Sequence, residues 1–102
     1  MPNVDIDTLK DREIPENIKR EDLYLDVDVK SRKKQYFKGK AHTVTSINPT
    51  GEFDVLPYHA NFITLIRQYI ILNAKTKEEQ KIEIDTGVLS VEENKVNVYL
   101  DL

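Results

Sequence analysis

From residue 23 to residue 30 apolar and polar side chains alternate without interruption, Leu23, Leu25, Val27 and Val29 against Tyr24, Asp26, Asp28 and Lys30. A period of two belongs to a strand with one face covered and the other in water, because successive side chains of an extended chain point to opposite sides. The same signature returns at short intervals. Residues 31–34 read as a polar turn, and Gln35, Tyr36 and Phe37 as a short return strand ended by Gly39. Residues 41–47 are rich in Thr, Val and Ile. They run into Asn48-Pro49-Thr50-Gly51, which combines a proline of fixed φ with a glycine free to take positive φ. A further strand is expected from about Glu52, with Phe53 and Val55 on one side, Glu52, Asp54 and Leu56 on the other, and Pro57 ending it.

The stretch "FITLIRQYIIL", residues 62–72, is long enough for a helix and equally suits two strands around a bend at Arg67-Gln68; its β-branched and aromatic content favours strands. A charged tip at residues 74–80 precedes Ile82 and Ile84, which alternate with Glu83 and Asp85. Gly87 then marks a bulge or a close backbone approach. Residues 88–100 read as a final hairpin about the turn 92–95, with Val96, Val98 and Leu100 buried. Many short strands at such spacing predict an all-β fold, a sandwich or a barrel. Residues 1–22 show little apolar periodicity and read as an irregular extension, its order left open, with room for a short helical turn after Pro15.

A chain of 102 residues suits one small domain, and its hydrophobic content of 39% against 32% charged supports a modest core. The absence of cysteine excludes disulfides, thiolate ligands and a cysteine nucleophile. No apolar run reaches the roughly 20 residues of a membrane-spanning helix, and the first residues lack the form of a signal peptide, so a cytoplasmic location is expected. Charge is segregated: residues 1–28 hold nine acids and four bases, whereas residues 30–40 hold Lys30, Arg32, Lys33, Lys34, Lys38 and Lys40 with no acid. These are chiefly solvated faces; a nucleic-acid patch helped by Tyr36 and Phe37 is the sharper alternative, disfavoured by the acidic total and the lack of an RNA-binding signature.

Catalytic arrangements fail one by one. His42 and His59 lack the close spacing of paired metal ligands, so no metal site is expected. Glu52 and Asp54 point the same way on one strand and could share a proton, yet alternating acids are also how a half-exposed strand stays soluble. Ser31, Ser46 and Ser90 lack a nucleophile-elbow context, and three scattered glycines make no phosphate loop. The chain reads as non-catalytic, without a cofactor. His59 alone suits a pH-sensitive contact.

Residues 50–66, "TGEFDVLPYHANFITLI", resemble a segment of the epsilon subunit of F-type ATP synthases, with Gly51, Glu52, Phe53, Val55, Leu56, Pro57, His59, Ala60 and Thr64 matching its pattern. Leu25-Asp26-Val27 and Phe37-Lys38-Gly39 match upstream; residues 86–91 and 94–98 match the family's later strands. The resemblance covers roughly residues 23–102. Asp54 and Tyr58 stand where the family usually has Gly and Gly or Asn. Arg67-Gln68-Tyr69 replaces a Lys-Pro-Gly turn, and Thr86 the first of two glycines.

The resemblance implies a two-layer β-sandwich of about ten short strands. It also implies a non-catalytic central-stalk subunit that packs on the gamma subunit, rests on the c-ring and helps couple proton-driven rotation to ATP synthesis. The protein would then lie peripheral to the inner face of the energy-coupling membrane, without inserting into it. By the same resemblance Gly51, Glu52, Phe53, Asp54, Pro57, Tyr58 and His59 form the c-ring contact loop. The sequence stops at Leu102, where the family commonly continues into a helical hairpin; the expected fold is therefore without one, whether it was cut away or is naturally lacking being left open. The alternative is a divergent sandwich serving as a protein–protein adaptor outside the synthase.

Overall fold

The structure is a computed structural model that describes residues 23–100; the expected extension at residues 1–22 and any C-terminal hairpin lie outside the described residues. Seven strands form: β1 (Leu25–Lys30), β2 (Gln35–Ala41), β3 (Val44–Asn48), β4 (Gly51–Val55), β5 (Phe62–Leu72), β6 (Gln80–Glu92) and β7 (Lys95–Leu100). They join edge to edge in the order β2-β1-β7-β6-β5-β3-β4. Every pairing is antiparallel except that of β1 with β7, which sets the first strand parallel to the last.

The expected alternation holds in β1 and β7, where Leu25, Val27, Val29, Val96, Val98 and Leu100 are buried. Local chemistry closes the turns. In the β1–β2 turn the Ser31 amide donates to the Lys34 carbonyl at 2.8 Å, and the Ser31 hydroxyl oxygen accepts from the amides of Lys33 and Lys34. At the β3–β4 turn Asn48 Oδ1 accepts from the Thr50 amide at 2.9 Å, and Gly51 takes a φ of 125°. The β6–β7 turn places Glu93 and Asn94 at φ 50° and 62°, the positive pair that matches the twist of a two-residue hairpin.

β5 and β6 have 11 and 13 residues, and both pass through a bulge. Arg67 pairs with Thr86 and Tyr69 with Glu83, so Gln68, at φ 75°, faces both Ile84 and Asp85. An extra residue on one strand bends it and increases its twist. On one side of this bend β5 and β6 continue into β7, β1 and β2; on the other they meet β3 and β4. Leu25, Val29, Leu89 and Val98 of the first half nevertheless share one buried cluster with Val44, Val55, Ile70 and Leu72 of the second. Among the described residues no helix is present to cover either half. The sheet therefore covers itself, as the two layers of a β-sandwich.

The count of about ten short strands is corrected to seven among the described residues. Residues 62–72 bend at Gln68 without separating into two strands, and β6 runs straight past Gly87. Gly39 does not end β2, which stays paired with β1 as far as Ala41; the Phe37 ring lies over the glycine, 3.3 Å from where a Cβ would be. Gly87 is a close approach: a Cβ there would lie 2.8 Å from both the Tyr99 carbonyl oxygen and the Leu100 side chain.

Candidate functional site

The segment singled out by sequence, residues 51–60, comprises edge strand β4 and the loop that leaves it. Gly51 and Glu52 are exposed, Phe53 and Asp54 half-buried. The two carboxylates do share a side of the strand, but each has its own hydroxyl donor. Tyr69 of β5 donates to Glu52, and Thr45 of β3 to Asp54. The bond to Glu52 holds the Tyr69 phenol above its ordinary value, helped by burial and by the negative charges of Glu52 and Asp54. Phe53 meets Phe62 of β5 edge-on, with centroids 6.0 Å apart and planes at 78°. Among the described residues no group of three or more His, Cys, Asp or Glu side chains is placed to hold a metal.

Past Val55 the loop turns on buried Pro57 and on Tyr58 at φ 64°. The position where the resembled family has Gly or Asn is thus left-handed, which costs an ordinary L-residue roughly 1–2 kcal/mol. A bond offsets that cost: the Tyr58 amide donates to Asn94 Oδ1 at 2.6 Å. Asn94 also accepts the Asp26 amide on its carbonyl at 2.9 Å, and the Glu93 amide donates to Asn61 Oδ1 at 3.1 Å. The loop, the β6–β7 turn and the start of β1 are in this way stitched together. His59 is half-buried; its amide donates to the Leu56 carbonyl at 3.1 Å, and its ring lies 5.0 Å from that of Phe62, tilted 43°.

The predicted site residues do not gather at one point. Gly51 and Glu52 begin β4, whereas Pro57, Tyr58 and His59 follow its other end, roughly 14 Å along the strand at about 3.4 Å per residue. Sequence reading also missed the Asn61–Asn94 stitching and a larger feature beside it. Ile63 and Leu65 of β5 are 71% and 63% exposed, and Tyr99 of β7 is 42% exposed. Leu65 pairs with Val88, Val88 with Tyr99 and Tyr99 with Lys30, so these side chains form one row across the outer face of β5, β6, β7 and β1.

Ile63 begins the neighbouring row, through Ser90 and Asn97 to Asp28. Lys30 Nζ lies 3.0 Å from Asp28 and 5.0 Å from the Tyr99 ring centre. Burial pushes the Asp28 carboxyl up, but hydrogen bonds from Lys30 and Gln35 and the charges of Lys30 and Lys38 bring it below its ordinary value. A cavity of about 470 Å³ adjoins the face, lined by Asn48, Pro49, Leu65, Ile66, Arg67, Thr86 and Gly87. The signal was present in the alternation of Phe62, Thr64 and Ile66 with Ile63 and Leu65; what the sequence withheld was which face would be covered.

The family model for the ATP synthase delta/epsilon chain β-sandwich domain matches residues 24–101. The ATP synthase epsilon chain 2 of Burkholderia orbicola (strain AU 1054) is 29% identical over 79 residues, which are 76% of this chain and 52% of that protein. The chain thus spans about half the length of this curated relative. A chain of the Euglena gracilis mitochondrial ATP synthase, in a structure of OSCP, F1 and c-ring, superposes with a TM-score of 0.68 at 14% identity, covering 76% of this chain and 50% of that one. A chain from the central stalk and c-ring of the Tetrahymena thermophila mitochondrial ATP synthase gives 0.57 at 13% identity, covering 74% and 62%. At those identities the superpositions speak for the fold, and the family match adds the lineage. By its β-sandwich domain, this chain belongs to the ATP synthase delta/epsilon family.

Proposed function

We propose that the protein is a non-catalytic rotor subunit of an F-type ATP synthase. In this reading the outer face of β5–β7 packs on the gamma subunit, while the loop carrying Pro57, Tyr58 and His59 rests on the c-ring. It would help transmit proton-driven rotation to the catalytic subunits, from a position peripheral to the membrane. The observation that carries the reading is the exposure of Ile63 and Leu65 in a domain of this family. Two large aliphatic side chains left in water beside an aromatic suit a protein partner that removes them from it. Among the described residues no helix is long and apolar enough to cross a membrane.

The rigid stitching of the loop to Asn94 and Asn61 suits a surface that bears load during rotation. Glu52 lies at the other end of β4, bonded to Tyr69, so its contact with the c-ring is the less direct part of this reading. Co-purification with the cognate gamma subunit and c-ring tests the proposal. Ile63→Glu with Leu65→Glu is expected to abolish gamma binding, and His59→Ala to weaken retention on the c-ring while sparing gamma. If the unaltered protein binds neither partner, the synthase assignment fails and the adaptor reading takes its place.

A further inference from the structure

At the bulge of Gln68 the strands β3 and β5 begin to separate. Ser46 pairs with Ile70 and Ile47 with Arg67, so Gln68 and Tyr69 have no partner in β3. β3 then ends at Asn48, and the turn through Pro49 carries the chain away into β4. The cavity of about 470 Å³ lies where the two part, with Asn48 and Pro49 on one side, residues 65–67 on another, and Thr86 and Gly87 of β6 completing it. That volume falls within the range of about 300–1,000 Å³ typical of small-molecule sites.

The lining divides into two kinds of surface. Its apolar part is aliphatic, made by Pro49, Ile66 and the 63% exposed Leu65, without an aromatic ring. Its polar part offers donors. Asn48 Oδ1 is taken by the amide and the hydroxyl of Thr50, which leaves the side-chain NH2 to give. Arg67 is exposed, and among the described residues its guanidinium makes no ion pair and no hydrogen bond. Thr86, which pairs with Arg67 across β5 and β6, adds a hydroxyl. No acid lines the cavity, and Asp85, next to Thr86 along β6, is not one of its walls.

A planar fork carrying one positive charge matches a carboxylate. A phosphate dianion would call for more charge or a cradle of backbone amides. Gly87 opens no such cradle, because the Leu100 side chain and the Tyr99 carbonyl fill the space beside its Cα. We propose that this cavity is a binding site for an aliphatic monocarboxylate, a free fatty acid of short or medium chain. Its carboxylate lies on Arg67, Thr86 and Asn48, and its alkyl chain against Pro49, Leu65 and Ile66. Neither half suffices alone: an exposed ion pair is weak in water, and an alkyl chain without its charge finds equal apolar surface at Ile63. This inference does not depend on the synthase assignment.

Titration of the isotopically labelled full chain with octanoate, below its micelle-forming concentration and followed through the backbone amide NMR signals, tests the proposal. Saturable shifts are expected at Asn48, Arg67, Thr86 and Gly87, while the amide of Val27, buried in β1, stays unmoved and reports an intact fold. Acetate, which keeps the charge without the chain, should bind at least about tenfold more weakly. Octan-1-ol, which keeps the chain without the charge, should also bind at least about tenfold more weakly. Arg67→Gln should weaken octanoate about tenfold or more while changing octan-1-ol by less than about twofold. Absence of a saturable shift, or shifts centred on Ile63 and Tyr99 instead, overturns the proposal. So does octan-1-ol binding as tightly as octanoate, or an Arg67→Gln variant that holds octanoate as tightly as the parent.

Discussion

β5, β6 and β7 carry similar side chains on their two faces, yet the faces behave as opposites. Inward, Ile66, Leu89, Val91, Val96, Val98 and Leu100 are at most 4% exposed. The backbones there approach so closely that Gly87 has no room for a Cβ. Outward, Ile63 and Leu65 stand in water on the same strand as Ile66. Hydrophobicity alone thus does not separate a core from an exposed face; what separates them is whether the sheet folds over that face. The inner face fixes the fold, and by holding the strands rigid it keeps the outer one presented in a single shape.

Substitutions can break or sharpen this contrast. The largest effect is expected from Leu89→Ala, which empties a fully buried position and should lower stability by about 2–5 kcal/mol in denaturant unfolding. Gly87→Ala comes next, at about 1–3 kcal/mol, since the Leu100 side chain can move aside but the Tyr99 carbonyl must carry its strand with it. An undiminished melting temperature would show that the β6–β7 contact is looser than described.

On the outer face Asp28→Asn should have a smaller, pH-dependent effect. Because folding lowers the Asp28 pKa below 3.8, its contribution is present above that value and is lost as the pH falls through the folded-state pKa. The melting-temperature gap between parent and variant should therefore be open at pH 7 and close below about pH 4; a gap constant with pH would mean that the carboxylate charge is not what stabilises. Smallest of all is Ile63→Ser with Leu65→Ser, expected to change stability by no more than about 0.5 kcal/mol. A loss as large as that of Leu89→Ala would erase the distinction between the two faces.

Much of the inner face was legible beforehand. Alternation marked β1 and β7 with the correct residues buried, and Asn48-Pro49-Thr50-Gly51 and residues 92–95 turned where their chemistry required. Strand number was not legible, because a bulge looks locally like a break: only the cross-strand register shows that Gln68 spans two residues of β6. The parallel pairing of β1 with β7 left no local trace either. Within the candidate site, neighbours in sequence such as Glu52 and His59 are separated by the length of β4, while distant Asn61 and Asn94 bind the loop and turn together. Such amide contacts depend on where the layers bring the loops, which the pattern of a single strand does not encode.

The pairing of Asp26 with Lys95 has a consequence for how the protein is made. β1 leaves the ribosome ahead of the other described strands, yet one of its two sides stays open until residues 95–99 have been synthesised. Because loop closure over so long a separation costs entropy before it gains contacts, assembly is expected to be slow and to finish only after nearly the whole described chain has emerged. Until then Leu25, Val27 and Val29 face water on a two-stranded hairpin, a form that invites aggregation or the attention of a chaperone.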